Sequence, residues 1–121
     1  MNRDASVEEL LPLRPVVFAL LLVLRVGPLH GYGIMQRVNS HLGREALVGP
    51  GTLYRVLKEL RDAGLIEHSE PPGDESDVDA RRQYYRLTGH GSLVVKAEAE
   101  RIAGLMRLTD LGTMLPEDSS R

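Results

Sequence analysis

The chain of 121 residues contains no cysteine. A disulfide framework and a thiolate metal site are both excluded by that absence. Aromatic side chains are scarce, with one Phe and no Trp to stack a flat ligand. The apolar run from Val16 to Leu24 falls well short of the roughly 20 residues that a membrane-spanning helix needs. It reads instead as a helix buried on most sides. No basic segment followed by a cleavable apolar stretch opens the chain, so the expected compartment is the cytoplasm. An excess of positive charge is missing too. The net charge of -2 argues mildly against nucleic acid, whose partners are often basic. Local distribution matters more, because salt screens charges beyond about 10 Å. The acids gather at Glu8-Glu9, between Asp74 and Asp79, and at Glu117-Asp118, and the remainder is basic.

What is present suffices for one small domain. A hydrophobic share of 42% supplies a modest core. The most informative stretch is Pro50 to Ile66. Leu53, Val56, Leu57 and Leu60 recur at i, i+3, i+4, i+7, the stripe of one helix face. Pro50 suits the first turn and Gly64 the left-handed stop after the last. Thr52, Arg55, Lys58, Arg61 and Asp62 lie mostly off the stripe. Thr, Tyr, Arg and Lys at such spacing suit a DNA groove.

The surrounding pattern predicts further elements. Ser6 with Glu9 fits a capping box for a short helix ending near Pro12, and a frayed arm fits equally well. A mostly apolar helix is expected from Pro15 to about Val26, stopped by Gly27-Pro28. A second is expected from Tyr32 to about Leu42, with Ile34, Met35, Val38 and Leu42 as its stripe. Two amphipathic helices joined by the short link from Arg44 to Gly49 suggest a helix-turn-helix. Strands are expected over Leu65 to Glu70 and Arg82 to Leu87, with Tyr85 and Leu87 alternating against Tyr84 and Arg86. A polar, acidic loop separates them. Thr88 suits an N-cap for a long final helix from His90 to about Met114. The fold class expected is mainly α with a small β-hairpin: a winged helix-turn-helix over residues 1–88, a dimerisation helix over 89–115 and a disordered tail over 116–121.

The final helix carries too much apolar surface for one subunit. Val95, Ala99, Ile102 and Met106 form one row, with Leu105 in a neighbouring row. A symmetric partner helix would bury what the subunit does not. These five residues are therefore the expected dimer interface. Phe18, Leu21 and Leu22, offered by the helix at Pro15, would meet that seam and line a candidate pocket for a small hydrophobic effector.

Three motifs resemble the PadR family of bacterial transcriptional regulators. The first is Gly27-Pro28-Leu29-His30-Gly31-Tyr32-Gly33-Ile34. The second is Gly51 to Leu60, followed by Gly64-Leu65-Ile66. The third is Arg81-Arg82-Gln83-Tyr84-Tyr85-Arg86-Leu87-Thr88 with Gly91. The resemblance covers roughly Leu20 to Gly91 and implies a dimeric winged-helix repressor. The single helix after the wing resembles the smaller subgroup of that family. Three departures stand out. The wing loop is acidic at Asp74, Glu75, Asp77 and Asp79. The tryptophan-lined drug pocket of some members has no counterpart in a chain without Trp. No residue here accounts for the family's phenolic-acid response.

The expected DNA contacts are Tyr32, Thr52, Tyr54, Arg55, Lys58, Arg81 and Arg82. Each has a plainer alternative. Tyr54 could be a core aromatic, and Tyr32 could simply pack its own helix. Arg55 and Lys58 could be solvated charges, and Arg81, Arg82 and Arg86 sheet-edge charges. The four histidines, His30, His41, His68 and His90, show no metal-ligand spacing, so no metal and no cofactor is expected. No catalytic grouping stands out, so no enzyme activity is expected. The rival functional class is a winged-helix protein-interaction module without DNA binding, suggested by the acidic wing.

Overall fold

The computed structural model describes residues 5–41, 48–73 and 82–109. In chain order these form α1 (Val7–Leu10), α2 (Pro15–Val23), β1 (Leu29–His30), α3 (Gly31–His41), α4 (Pro50–Asp62), β2 (Ile66–Ser69), β3 (Tyr84–Leu87) and α5 (Gly89–Arg107). The architecture is mainly helical with a small antiparallel sheet, as the sequence predicts. Local chemistry sets the element ends. The Ser6 hydroxyl accepts the Glu9 amide at 3.3 Å and starts α1. Pro15 and Pro50 occupy the first turns of α2 and α4. Gly64 takes a φ of 76°, the left-handed conformation that ends α4 without a Cβ penalty. The Thr88 hydroxyl accepts the Gly91 amide at 3.0 Å and caps α5.

The sheet differs from the expected hairpin by one strand. β1 adds to β3, giving the order β1-β3-β2. Leu29 lies opposite Tyr85, and His30 opposite Tyr84. β3 is thus central, which overturns the expected alternation of Tyr84 against Tyr85. Both are buried. Tyr85 enters the core, while the Tyr84 ring is met edge-on by His30 at 5.3 Å.

The core gathers Val17, Leu20 and Leu21 of α2, Ile34 and Val38 of α3, and the whole α4 stripe. Leu53, Val56, Leu57 and Leu60 are each at most 1% exposed. Burying four such side chains contributes roughly 6–12 kcal/mol before entropy is counted. That stripe fixes the rotation of α4 about its own axis. The start of α4 is fixed separately. Asn39 donates to the Val48 carbonyl at 3.0 Å and accepts the Val48 amide at 2.8 Å, so one side-chain amide closes the gap between α3 and α4.

α2 ends at Val23, a turn short of the expected Val26, which is largely solvent-exposed. α5 ends at Arg107 rather than near Met114. Leu42, the link to Leu47, Arg81, the acidic loop and the chain from Asp110 onward, tail included, lie outside the described residues. Among the described residues no helix is long and apolar enough to cross a membrane.

α1 packs on α5, and its connection to α2 is held from within. Glu98 of α5 is only 1% exposed. Its carboxylate accepts the Leu13 amide at 2.9 Å and two guanidinium bonds from Arg101 at 2.6 and 3.1 Å. The Arg101 guanidinium holds this carboxyl below its usual range against the opposing effect of burial.

Candidate nucleic-acid interface

With its apolar face sealed, α4 turns Thr52, Tyr54, Arg55 and Lys58 outward, and all four are exposed. The cations are lightly held. Arg55 sits 3.5 Å from Glu59, which also takes Arg14 at 2.5 Å, and Lys58 sits 2.8 Å from Asp62. Exposed pairs of this kind contribute only about 0–1 kcal/mol, so either cation can turn to an incoming anion at small cost. Arg61, one turn beyond Lys58 toward the wing, contacts the His68 ring.

Tyr54 stands at the edge of the stripe and is 53% exposed. This is neither a core position nor a free one, because its ring lies over Gly31. A Cβ on Gly31 would come within 2.7 Å of the Tyr54 hydroxyl oxygen. Glycine at the start of α3 is therefore what lets α4 set a phenol against the α3 backbone. Tyr32 is equally exposed, and its hydroxyl accepts from Gln36 at 3.3 Å.

Between the start of α3, Tyr54 and the start of β3 lies an open cleft of about 490 Å³, lined by His30, Tyr32, Tyr54, Arg82, Gln83 and Tyr85 among others. Burial pushes the Tyr85 phenol above its usual range, opposed by nearby Arg61 and reinforced by Tyr54, so it stays neutral and can donate. Among the described residues no carboxylate lines the cleft. The structure thus brings together Tyr32, Tyr54 and Arg82 from three separate motifs, with Thr52, Arg55 and Lys58 continuing along α4. Arg81 lies outside the described residues. Arg86 turns away and pairs with Glu67 at 2.7 Å. His30 also lines the cleft, and the sequence reading considers it only for metal-ligand spacing. Its signal was its place directly before the helix at Gly31, where a side-chain acceptor caps the first turn.

The second expected surface is partly revised. Val95 is only 3% exposed, because the first half of α5 packs on the rest of the chain. It cannot belong to a free apolar face. Ala99 and Leu105 are exposed, and Ile102 and Met106 partly so. Leu93 and Leu108 add further exposed apolar surface. Leu21 is fully buried in the core, since α2 is covered on that side too, so it cannot line an effector pocket. Phe18 is half-buried against the core. Leu22, however, borders an open groove of about 900 Å³ between the end of α2, β3 and α5, with Leu24, Leu87, Val95, Ala99 and Ala103.

Comparison with known proteins gives a consistent result. Residues 20–97 match the transcriptional regulator PadR-like family. A transcriptional regulator from Clostridium thermocellum is 25% identical over 78% of this chain and 86% of its own, with a TM-score of 0.60. Bacillus subtilis PadR, solved in complex with operator DNA, is 28% identical over 71% of this chain and 47% of its own, with a TM-score of 0.57. A PadR-like regulator from Bacillus cereus, at 20% identity and a TM-score of 0.63, covers 84% of this chain and 93% of its own and shares the fold. No curated protein matches the chain.

Proposed function

Since the chain belongs to the PadR-like family of transcriptional regulators, which are not enzymes, we propose that it is a sequence-specific DNA-binding repressor acting as a homodimer in the bacterial cytoplasm. The observation that carries this reading is α4 itself. Its buried stripe holds a row of Thr52, Tyr54, Arg55 and Lys58 outward with fixed rotation. A helix so presented enters a major groove, where Arg and Lys read guanine or hold phosphates. Arg82, with Arg81 and Tyr32, meets the flanking backbone. That Bacillus subtilis PadR was solved with operator DNA supports the same use of the fold here.

Dimerisation proceeds through the distal part of α5, where Ala99, Ile102, Leu105 and Met106 present apolar surface that this subunit leaves uncovered. A two-fold pair sets two α4 helices on successive major grooves, with half-sites roughly 34 Å apart. A small hydrophobic effector, where one acts, takes the groove beside Leu22 and Ala99. To release DNA it must bind the non-binding arrangement more tightly.

Selection from random duplexes, followed by fluorescence anisotropy, tests the reading. The expected result is a pseudo-palindrome bound at least about 1,000-fold more tightly than random sequence. Recovery of no preferred sequence, with equal affinity for all duplexes, would overturn it.

A further inference from the structure

The groove between the end of α2, β3 and α5 combines an aliphatic lining with charge. Val95, Ala99 and Ala103 stand at i, i+4 and i+8 and line it from one side of α5. Leu22 and Leu24 line it from the end of α2, and Leu87 from β3. Among the described residues no aromatic side chain borders it. Its volume of about 900 Å³ lies within the range of small-molecule sites, about 300–1,000 Å³. Three cations border the same space: Arg25, Arg86 and Lys96. Arg86 is engaged by Glu67 at 2.7 Å. Arg25 and Lys96 are exposed, and neither forms an ion pair with a described residue. Among the described residues Glu100, one turn past Lys96, is the single acid of the lining.

Such a surface matches a ligand with an apolar body and one negative charge. The body gains by leaving water, in proportion to the area covered. The head gains a charge-assisted contact, and Arg25 can make it bidentate. Glu100 disfavours a second negative charge nearby. With no ring to stack on, a flexible alkyl chain fits this lining better than a flat aromatic body. We infer that the groove takes an aliphatic monocarboxylate, its chain laid on Leu22, Ala99 and Ala103 and its carboxylate met by Arg25 and Lys96. This rests on the effector reading above and names the chemical class of that effector. Ala99 belongs both to the groove and to the proposed seam, so an occupied groove bears on how two α5 helices meet.

The test uses the full chain, ¹⁵N-labelled, with octanoate, decanoate and octan-1-ol as probes, each kept below the concentration at which it self-associates. Octanoate should shift the backbone amides around Arg25 and from Ser92 to Ala103. Decanoate, two methylenes longer, should bind about four- to ten-fold more tightly. Arg25→Gln combined with Lys96→Gln changes only exposed side chains, so its melting temperature should stay near that of the wild type. Its octanoate affinity should fall about three- to ten-fold, while its affinity for octan-1-ol stays the same. A folded double variant that binds octanoate as well as wild type would overturn the carboxylate assignment and leave a purely apolar effector groove standing. Amides unmoved by all three probes in the wild type would overturn both this inference and the effector reading, as when a second copy of the chain fills the groove. DNA binding is measured separately by anisotropy and does not depend on that result. Octanoate bound at these residues with duplex affinity unchanged would sustain the site and remove its effector role.

Discussion

The carboxylate of Glu98 and the backbone amide of Leu13, 85 residues apart in sequence, meet at 2.9 Å beneath the start of α2. The contact ties the N-terminal arm to α5, and Arg101 neutralises the charge that makes it strong. Glu98→Ala leaves the Leu13 amide without this acceptor and Arg101 without its counter-charge. Chemical denaturation should show a loss of about 1–3 kcal/mol.

The same carboxylate sets an acid response. Its folded-state pKa is lowered from 4.5. A depressed carboxylate contributes stability that is complete above the unfolded value and lost as pH falls through the folded one. Stability should therefore decline below about pH 4.5, and Glu98→Gln should decline less over that window. Denaturation midpoints between pH 3 and 6 would check this. Parallel profiles for the two proteins would remove Glu98 as the cause.

Two glycines should answer alanine differently. On Gly91 a Cβ would lie 2.0 Å from the Leu65 carbonyl oxygen, a backbone atom that cannot step aside. Gly91→Ala should destabilise the fold by about 3 kcal/mol or more. On Gly31 the obstruction is the far end of Tyr54, which can swing out. Gly31→Ala should melt close to wild type yet bind DNA less well, because the phenol is displaced. Thermal melts and anisotropy on both variants separate the two cases.

On α4, Arg55→Ala or Lys58→Ala should weaken operator binding by roughly 1–3 kcal/mol where the lost contact is to a base. Where it is to a phosphate, the salt slope should fall by about one with sequence preference unchanged. A double variant with wild-type affinity across several salt concentrations would remove these residues from the interface.

For assembly, Leu105→Glu places a charge on a side chain that is 52% exposed and so spares the subunit core. Sedimentation at micromolar concentration should shift from dimer toward monomer. An unchanged dimer that keeps its melting temperature would move the interface off the distal part of α5.

The sequence carried the helices well wherever one face was apolar and the other charged. The α4 stripe at Leu53, Val56, Leu57 and Leu60 is readable because its period matches burial residue by residue. β1 was not readable, because two residues make no period and its pairing with Tyr84 and Tyr85 spans more than fifty residues. Glu98 escaped for a different reason. It stands one turn after Val94 on the buried side, and its acceptor role is visible only when Leu13 is brought across. The sequence places Val95 on the expected seam because a continuous apolar row does not reveal where the rest of the chain stops covering it. The sequence leaves Tyr54 open between core and surface, and its position over Gly31 is something of each.

The junction after α4 joins the helix proposed to enter DNA to the helix proposed to dimerise. Thr88 donates its hydroxyl to the Gly64 carbonyl at 2.6 Å and its amide to the Leu65 carbonyl at 3.1 Å, while Gly91 lets α5 rest directly on that backbone. The end of α4 and the start of α5 are thereby tied at one junction. In the two-fold assembly proposed above, a change in how the distal halves of α5 cross would be passed through this junction to the stance of the two α4 helices. Substitutions near Ile102 or Met106, remote from every base, could then retune which operator spacing is tolerated. The vocabulary of α4 would be untouched, and only the distance between its two words would change.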